Sequence, residues 1–150
     1  MNQAKLSNFA LLVMRVGLGL VILYFGSQKV LGLFGGQGFQ GTIQGMGEGK
    51  HIPPLFATLA MLGEFAGGLG LVLGLLTRVA AFGVMCTMAV ATYFQASAPD
   101  AWSNILSGKP GAANQVFFPF LIFLFAFAII LMGAGPYSLD ARFFGKRSAK

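Results

Sequence analysis

The sequence predicts an all-α integral membrane protein, a bundle of four transmembrane helices followed by a short interfacial C-terminal helix. Three observations predict it. Of 150 residues, 56% are hydrophobic and 9% are charged, whereas a water-soluble domain carries about 25% charged residues because it faces solvent on every side. The apolar residues gather into four long stretches, near residues 9–33, 55–76, 79–98 and 116–132. Each is about 17 to 25 residues long, enough at ~1.5 Å per residue to cross ~30 Å of hydrocarbon. Most charged residues are left to the connections and the chain ends. One bundle takes up nearly the whole length, so residues 1–150 form a single domain.

The first stretch is too long for the apolar core of a signal peptide, and three more follow it, so it reads as a retained helix. The connection 34–54 is rich in glycine, and Gly36-Gln37-Gly38-Phe39-Gln40-Gly41 in it matches GxGxxG. That motif cradles a pyrophosphate only between a strand and a helix, so here it predicts a flexible loop. Pro53 and Pro54 precede the second stretch, where a missing N–H costs little. Only Thr77 and Arg78 separate the second stretch from the third, a tight turn that makes the two helices antiparallel neighbours. The connection 99–115 contains Trp102, which suits headgroup depth. Six phenylalanines from Phe117 to Phe127 cover several faces of the fourth helix, and Pro119 falls in its first turn or so. Glycines and Pro136 then stop the helix. Ser138 can N-cap a short amphipathic one, with Asp140 in its first turn. That helix sets Leu139, Phe143 and Phe144 beside Arg142, Lys146 and Arg147, and it reads as lying on the membrane surface.

The formal charge of +6 does not point to nucleic acid, because the basic residues are scattered except at the extreme C-terminus. They read as topology information. With the N-terminus inside, Lys5, Arg15, Arg78, Arg142, Lys146, Arg147 and Lys150 lie on the inner side, and Lys29, Lys50 and Lys109 on the outer. This bias favours both termini inside. Cys86 is the only cysteine and His51 the only histidine, so the chain builds no disulfide, thiolate cluster, zinc site or haem site of its own. Cys86 reads as a small buried hydrophobe, His51 as a loop residue, and no metal ligands are assigned.

Charges inside the spans carry most of the information, since each costs about 2.5–3.5 kcal/mol on insertion scales. Arg15, Gly19, Ile22, Gly26 and Lys29 share one stripe of the first helix. Gly63, Gly67, Gly70 and Gly74 form a smooth face on the second helix, with Glu64 at its edge. Two such faces predict that these helices pack together. At ~1.5 Å per residue, Glu64 lies about 13 Å below the outer end of its helix, Lys29 about 6 Å and Arg15 about 27 Å. Lys29 is therefore the nearer partner of Glu64, and Arg15 snorkels towards the inner surface. Two readings of this set stand. It is a structural group that decides which helices meet, or Lys29, Glu64 and Arg15 are proton or quinone-headgroup contacts.

The residues also carry a resemblance. Arg15, the segment Gly26-Ser27-Gln28-Lys29-Val30-Leu31-Gly32, and Glu64-Phe65-Ala66-Gly67-Gly68 are its first landmarks. Gly74-Leu75-Leu76-Thr77-Arg78 and Gly133-Ala134-Gly135-Pro136-Tyr137-Ser138-Leu139-Asp140 complete it. In this order they resemble the DoxX family of small bacterial membrane proteins, over nearly the whole chain. The resemblance implies a multi-pass protein of the bacterial cytoplasmic (inner) membrane. The family is similar to the small-subunit type of thiosulfate:quinone oxidoreductases, and some members are linked to membrane complexes for oxidative-stress defence. Many relatives carry a glutamate near the start of the fourth helix, where this chain has Asn114 and Gln115, so a role needing that carboxylate is not carried over.

The resulting expectation is an accessory or anchoring subunit of an oxidoreductase complex, surrounded by membrane lipids and other subunits. It contributes to a quinone site, and quinone is the one cofactor implied. Such a chain is at most one subunit of an enzyme. The alternative, motivated by the glycine faces and the lack of a cofactor motif, is a structural subunit of a larger membrane assembly with no redox role. A small transporter centred on Glu64 is a third reading, though four short helices leave little room for alternating access.

Overall fold

The computed structural model describes residues 2–144. Seven helices follow in order: α1 (Gln3–Leu31), α2 (Gly38–Lys50), α3 (Pro54–Leu73), α4 (Thr77–Ala96), α5 (Ala101–Leu106), α6 (Ala112–Met132) and α7 (Leu139–Phe143). A single 3-10 turn, Leu33–Gly35, joins α1 to α2. Among the described residues there is no strand. Four helices, α1, α3, α4 and α6, are long and apolar enough to cross a membrane. The protein is an all-α, multi-pass membrane bundle.

Helix boundaries move for local reasons. Helix α1 begins at Gln3, six residues before the apolar stretch, and stops at Gly32, whose φ of 68° gives a left-handed cap that glycine adopts without a Cβ penalty. Gly74, with φ of 69°, ends α3 in the same way. The turn between α3 and α4 is therefore residues 74–76. Thr77 and Arg78, predicted as the turn, are the first two residues of α4. Pro119 sits well inside α6, not at its start. Its missing N–H leaves the Gln115 carbonyl without a helical donor.

The connection predicted as a flexible loop contains α2, a helix of 13 residues. No strand precedes the GxGxxG segment, so it is no nucleotide cradle. Thr42 of α2 is buried and donates a hydrogen bond from Oγ1 to the Lys29 carbonyl at 3.3 Å, tying α2 across the end of α1.

The spanning helices form a ring in the order α1, α3, α4, α6. Helix α1 lies along α3, α3 along α4 and α4 along α6, while a smaller α1–α6 contact closes the ring. Leu18, Ile22, Leu71, Val84, Met88, Ile122 and Ile129 fill the middle. One end of the bundle carries α2 and α5, and the other carries the α3–α4 turn and α7.

Two glycine surfaces were expected to meet between α1 and α3. On α1 the expected glycines do so, while on α3 a different one receives them. Gly19 and Gly26 of α1 lie against α3, where a Cβ on Gly26 would sit 2.7 Å from Phe65 Cα. The α3 residue that receives α1 is Gly68, whose Cβ would sit 2.6 Å from the Leu23 nitrogen. Gly63, Gly67 and Gly70 face α4 instead, against Thr87, Val84 and Ala80. Helix α3 is thus smooth on two sides, one for each neighbour. Five of the six α6 phenylalanines, all but Phe123, are exposed on the bundle's outer surface, where lipid tails would meet them.

After α6 the chain turns back under the bundle. Ser138 caps α7 by accepting from the Ala141 N–H at 3.1 Å, as its position predicts. Asp140 does more than favour its own helix. Its carboxylate accepts from the Leu76 and Thr77 N–H groups at 2.7 and 2.8 Å, and its own N–H donates to the Gly74 carbonyl at 2.9 Å. The C-terminal turn is thereby clamped to the start of α4. Lys146, Arg147 and Lys150, counted in the amphipathic segment or the charge bias, lie outside the described residues.

Candidate functional site

Gly26 allows α1 and α3 to touch, and the contact brings Lys29, three residues on, to Glu64. Lys29 Nζ donates to both Glu64 oxygens at 2.6 Å. The Glu64 side chain is 4% exposed and that of Lys29 31%. The carboxylate is therefore withdrawn from solvent, while the Lys29 side chain stays partly exposed. Charge-assisted hydrogen bonds of this length are among the stronger ones in proteins. A half-buried ammonium and a buried carboxylate hold each other's charge in place, as neither would be stable alone in an apolar wall.

Lys29 and Glu64 also line a cavity of about 530 Å³ between α3 and α4. Its origin lies in the packing. The two helices are pinned together near their turn, where a Cβ on Gly67 would sit 2.8 Å from Val84 Cγ2 and one on Gly70 2.9 Å from Ala80 Cβ. Towards the α2 end the facing side chains stay small, with Ala57, Ala60 and Gly63 on α3 and Gly83, Thr87 and Ala91 on α4, so a space remains. Phe56, Leu59, Phe82, Val90 and Phe94 form its apolar rim. Above it pass Lys50, His51, Ile52 and Pro53, the link from α2 to α3. Lys50 Nζ lies 5.7 Å from the centroid of the Phe94 ring, a cation–π contact that joins α2 to the end of α4.

The arrangement can hold a small apolar body and offer its polar end a hydrogen-bond donor. A volume of this size falls in the ~300–1,000 Å³ range of small-molecule sites, which are mostly apolar with few convergent polar groups.

Arg15 is not part of this site. It is 1% exposed and lies at the opposite end of the bundle, where its Nη2 donates to the Tyr137 carbonyl at 2.6 Å. The expected snorkelling does not occur, because the returning C-terminal segment covers the guanidinium before it reaches solvent. A methyl group at Gly74 would collide with that guanidinium and with Ser138, so this glycine serves both the helix cap and the arginine pocket. Of the four glycines expected to face α1, Gly74 is the one that does so, through the Arg15 side chain.

One other expectation changes. Cys86 is exposed and lies on the α4 wall of the cleft, since it points away from the α4–α6 contact that buries Val84 and Met88. His51 is a loop residue, as expected: it caps α2 from the α2–α3 link with a left-handed φ of 53° and stands over the cleft. Gln115 lines a separate polar recess of about 250 Å³ beside Asp100, Asn104 and Lys109, and Asn114 is exposed outside it. Sequence reasoning missed the α4 wall altogether. The signal was present in small residues at intervals of three on α3 (57, 60, 63) and four on α4 (83, 87, 91), spacings that align on one helix face.

No curated protein and no solved structure matches the chain. A family model, DoxX, matches residues 10–96. That span takes in the Arg15 stripe, the Lys29–Glu64 pair, α2, and both walls of the cleft. Since more than half of the 150 residues are matched, and the matched part is where the intramembrane charges sit, the chain belongs to the DoxX family.

Proposed function

We propose that the protein is an accessory, anchoring membrane subunit of an oxidoreductase complex, and that the α3–α4 cleft contributes a quinone site. One observation carries this reading: an apolar cleft of about 530 Å³ is lined by an ion pair whose lysine side chain is partly exposed and has one N–H with no acceptor among the described residues. The donor set suits a quinone, because Lys29 has one N–H left to offer a ring carbonyl and the surrounding walls take an apolar ring and tail. A bound quinone would supply two-electron redox chemistry. Lys29 would orient the ring, Glu64 would hold Lys29, and the apolar rim would exclude water. Electrons would come from a partner subunit, because the only histidine and the only cysteine make no haem or iron–sulfur ligand set. Arg15 belongs to the bundle's other end and is removed from the proposed contacts.

We place the protein in the bacterial cytoplasmic membrane with both termini cytoplasmic, as the distribution of Lys and Arg favours. Affinity purification from native membranes, with mass spectrometry of proteins and lipids, tests the reading. The expected result is a co-purifying redox protein together with a quinone. A stable preparation containing neither would remove it. The exposed phenylalanines of α6 favour a second reading, a structural subunit of a larger assembly without redox work. In that case deletion of the gene disrupts the assembly while its isolated catalysis persists.

A further inference from the structure

We infer that the cleft is loaded sideways from the bilayer, and that Lys29 selects ring compounds bearing a hydrogen-bond-accepting carbonyl. The inference rests on the reading that the cleft is a ligand site, and it adds an entry route and a specificity determinant.

The route follows from which sides of the cleft are closed. At its deep end α3 and α4 meet through glycines, with Gly83 Cβ, if present, 3.6 Å from Gly63 Cα. At the α2 end the cleft is roofed by the 50–53 link, with Lys50 over the Phe94 ring. The remaining side lies between two spanning helices. Its edges are Phe56, Leu59, Phe82 and Val90, which are 61%, 55%, 56% and 52% exposed. These side chains stand where hydrocarbon tails touch the bundle. A molecule dissolved in the lipid meets an open apolar slot, whereas one dissolved in water meets the roof.

Selectivity follows from proton counting. An ammonium has three N–H groups and no acceptor. Lys29 spends two on Oε1 and Oε2 of Glu64. Among the described residues no acceptor takes the third, and the side chain keeps 31% exposure. The cleft therefore presents one unspent, charge-assisted donor. Glu64 has no comparable role toward a ligand: it is a positioning residue, and its charge is already matched. Lys50 at the roof adds a second cation, so positively charged amphiphiles are disfavoured.

Cys86, the one cysteine in the sequence, stands on the cleft wall, so its alkylation reports occupancy. In phosphatidylcholine vesicles, lipid-soluble N-phenylmaleimide should modify Cys86 at least ~10-fold faster than a sulfonated maleimide, because the charged reagent is excluded from hydrocarbon. A fully substituted decyl benzoquinone, which has no ring position free for thiol addition, should slow the lipid-soluble reagent. Decylbenzene, with the same tail and no carbonyl, should protect roughly tenfold less, the order expected of one hydrogen bond to a charged group. Protection should be lost in Ala60→Phe, which fills the slot, and in the Lys29→Met, Glu64→Leu double variant, which removes the donor without orphaning a charge. Lys29→Arg should retain it.

Equal rates for the two maleimides overturn the lateral route. Equal protection by decylbenzene, or undiminished protection in the double variant, overturns selection by Lys29. The assay needs no partner protein, so its failure is separable from the failure of co-purification, and protection without a redox partner keeps the cleft while removing the subunit role.

Discussion

Lys29 and Glu64 are each unsuited to an apolar wall, and each makes the other tolerable. Removing one partner from a buried pair is costly mainly because it strands the other. Glu64→Leu should therefore lower stability by about 3 kcal/mol, reduced to the extent that Lys29 reaches water. Glu64→Gln, which keeps an acceptor, should cost about 1–2 kcal/mol. The Lys29→Met, Glu64→Leu double variant should recover most of the loss. Thermal unfolding of the wild type, Lys29→Met, Glu64→Leu and the double variant in one detergent completes the cycle, and additive single losses would show that the pair is not coupled. Arg15 poses a different case. It lies under the C-terminal turn with one bond to the Tyr137 carbonyl and, among the described residues, no partner for Nε or Nη1. We expect Arg15→Met to loosen that turn, read as faster proteolysis after residue 132, while leaving Cys86 alkylation unchanged because the cleft is at the other end.

At the scale of helices, small residues decide which surfaces meet. A Cβ on Gly68 has nowhere to go, since the Leu23 backbone is in its place. Gly68→Ala should force α1 and α3 apart at a cost of about 1–3 kcal/mol. Gly17→Ala is the control: no atom lies within 4 Å of its would-be Cβ, so helix propensity alone should stabilise by about 0.5–1 kcal/mol. Comparing the melting temperatures of the two variants separates contact from propensity. The α3–α4 turn depends on Asp140 in the same local way. Leu76 adopts a left-handed φ of 47°, a strained geometry for a branched side chain, and the Asp140 carboxylate holds it by binding the first N–H groups of α4. Asp140→Ala should cost about 1–2 kcal/mol, as loss of a helix cap does, and should expose the 133–144 segment to protease. Helix α2 was not legible in sequence, because glycines at 38, 41, 45, 47 and 49 argue against a helix by propensity. Its position across the end of α1, fixed by Thr42 on the Lys29 carbonyl, provides what propensity lacks.

Across the whole molecule, an even number of spans returns the chain to the side it left. Reporter fusions at the two termini should therefore report the same compartment, the cytoplasm in the orientation proposed above; opposite compartments would contradict the four-span count. Four spans, their order, and the ion pair were legible because each depends on sums over single stretches of sequence. Hydropathy over about 20 residues selects a membrane helix whatever its neighbours are. The periodicity of Arg15, Gly19, Ile22, Gly26 and Lys29 aligns them on one face, and a charge in hydrocarbon demands an opposite charge at similar depth. Which glycine of α3 faces which neighbour was not legible, since Gly63, Gly67, Gly68 and Gly70 ring much of the helix and only the placement of α1 and α4 around it distinguishes them. The cleft depends on that placement. It is the space left where two helices, held tightly at their turn, face each other through side chains too small to fill the gap. So the sequence by itself determined the membrane as solvent, the four crossings and the partner of Glu64. Tertiary structure alone decided the α4 wall, the exposure of Cys86 and the capture of Arg15 by the returning chain, because these are contacts between segments whose separation in sequence carries no record of their distance in space.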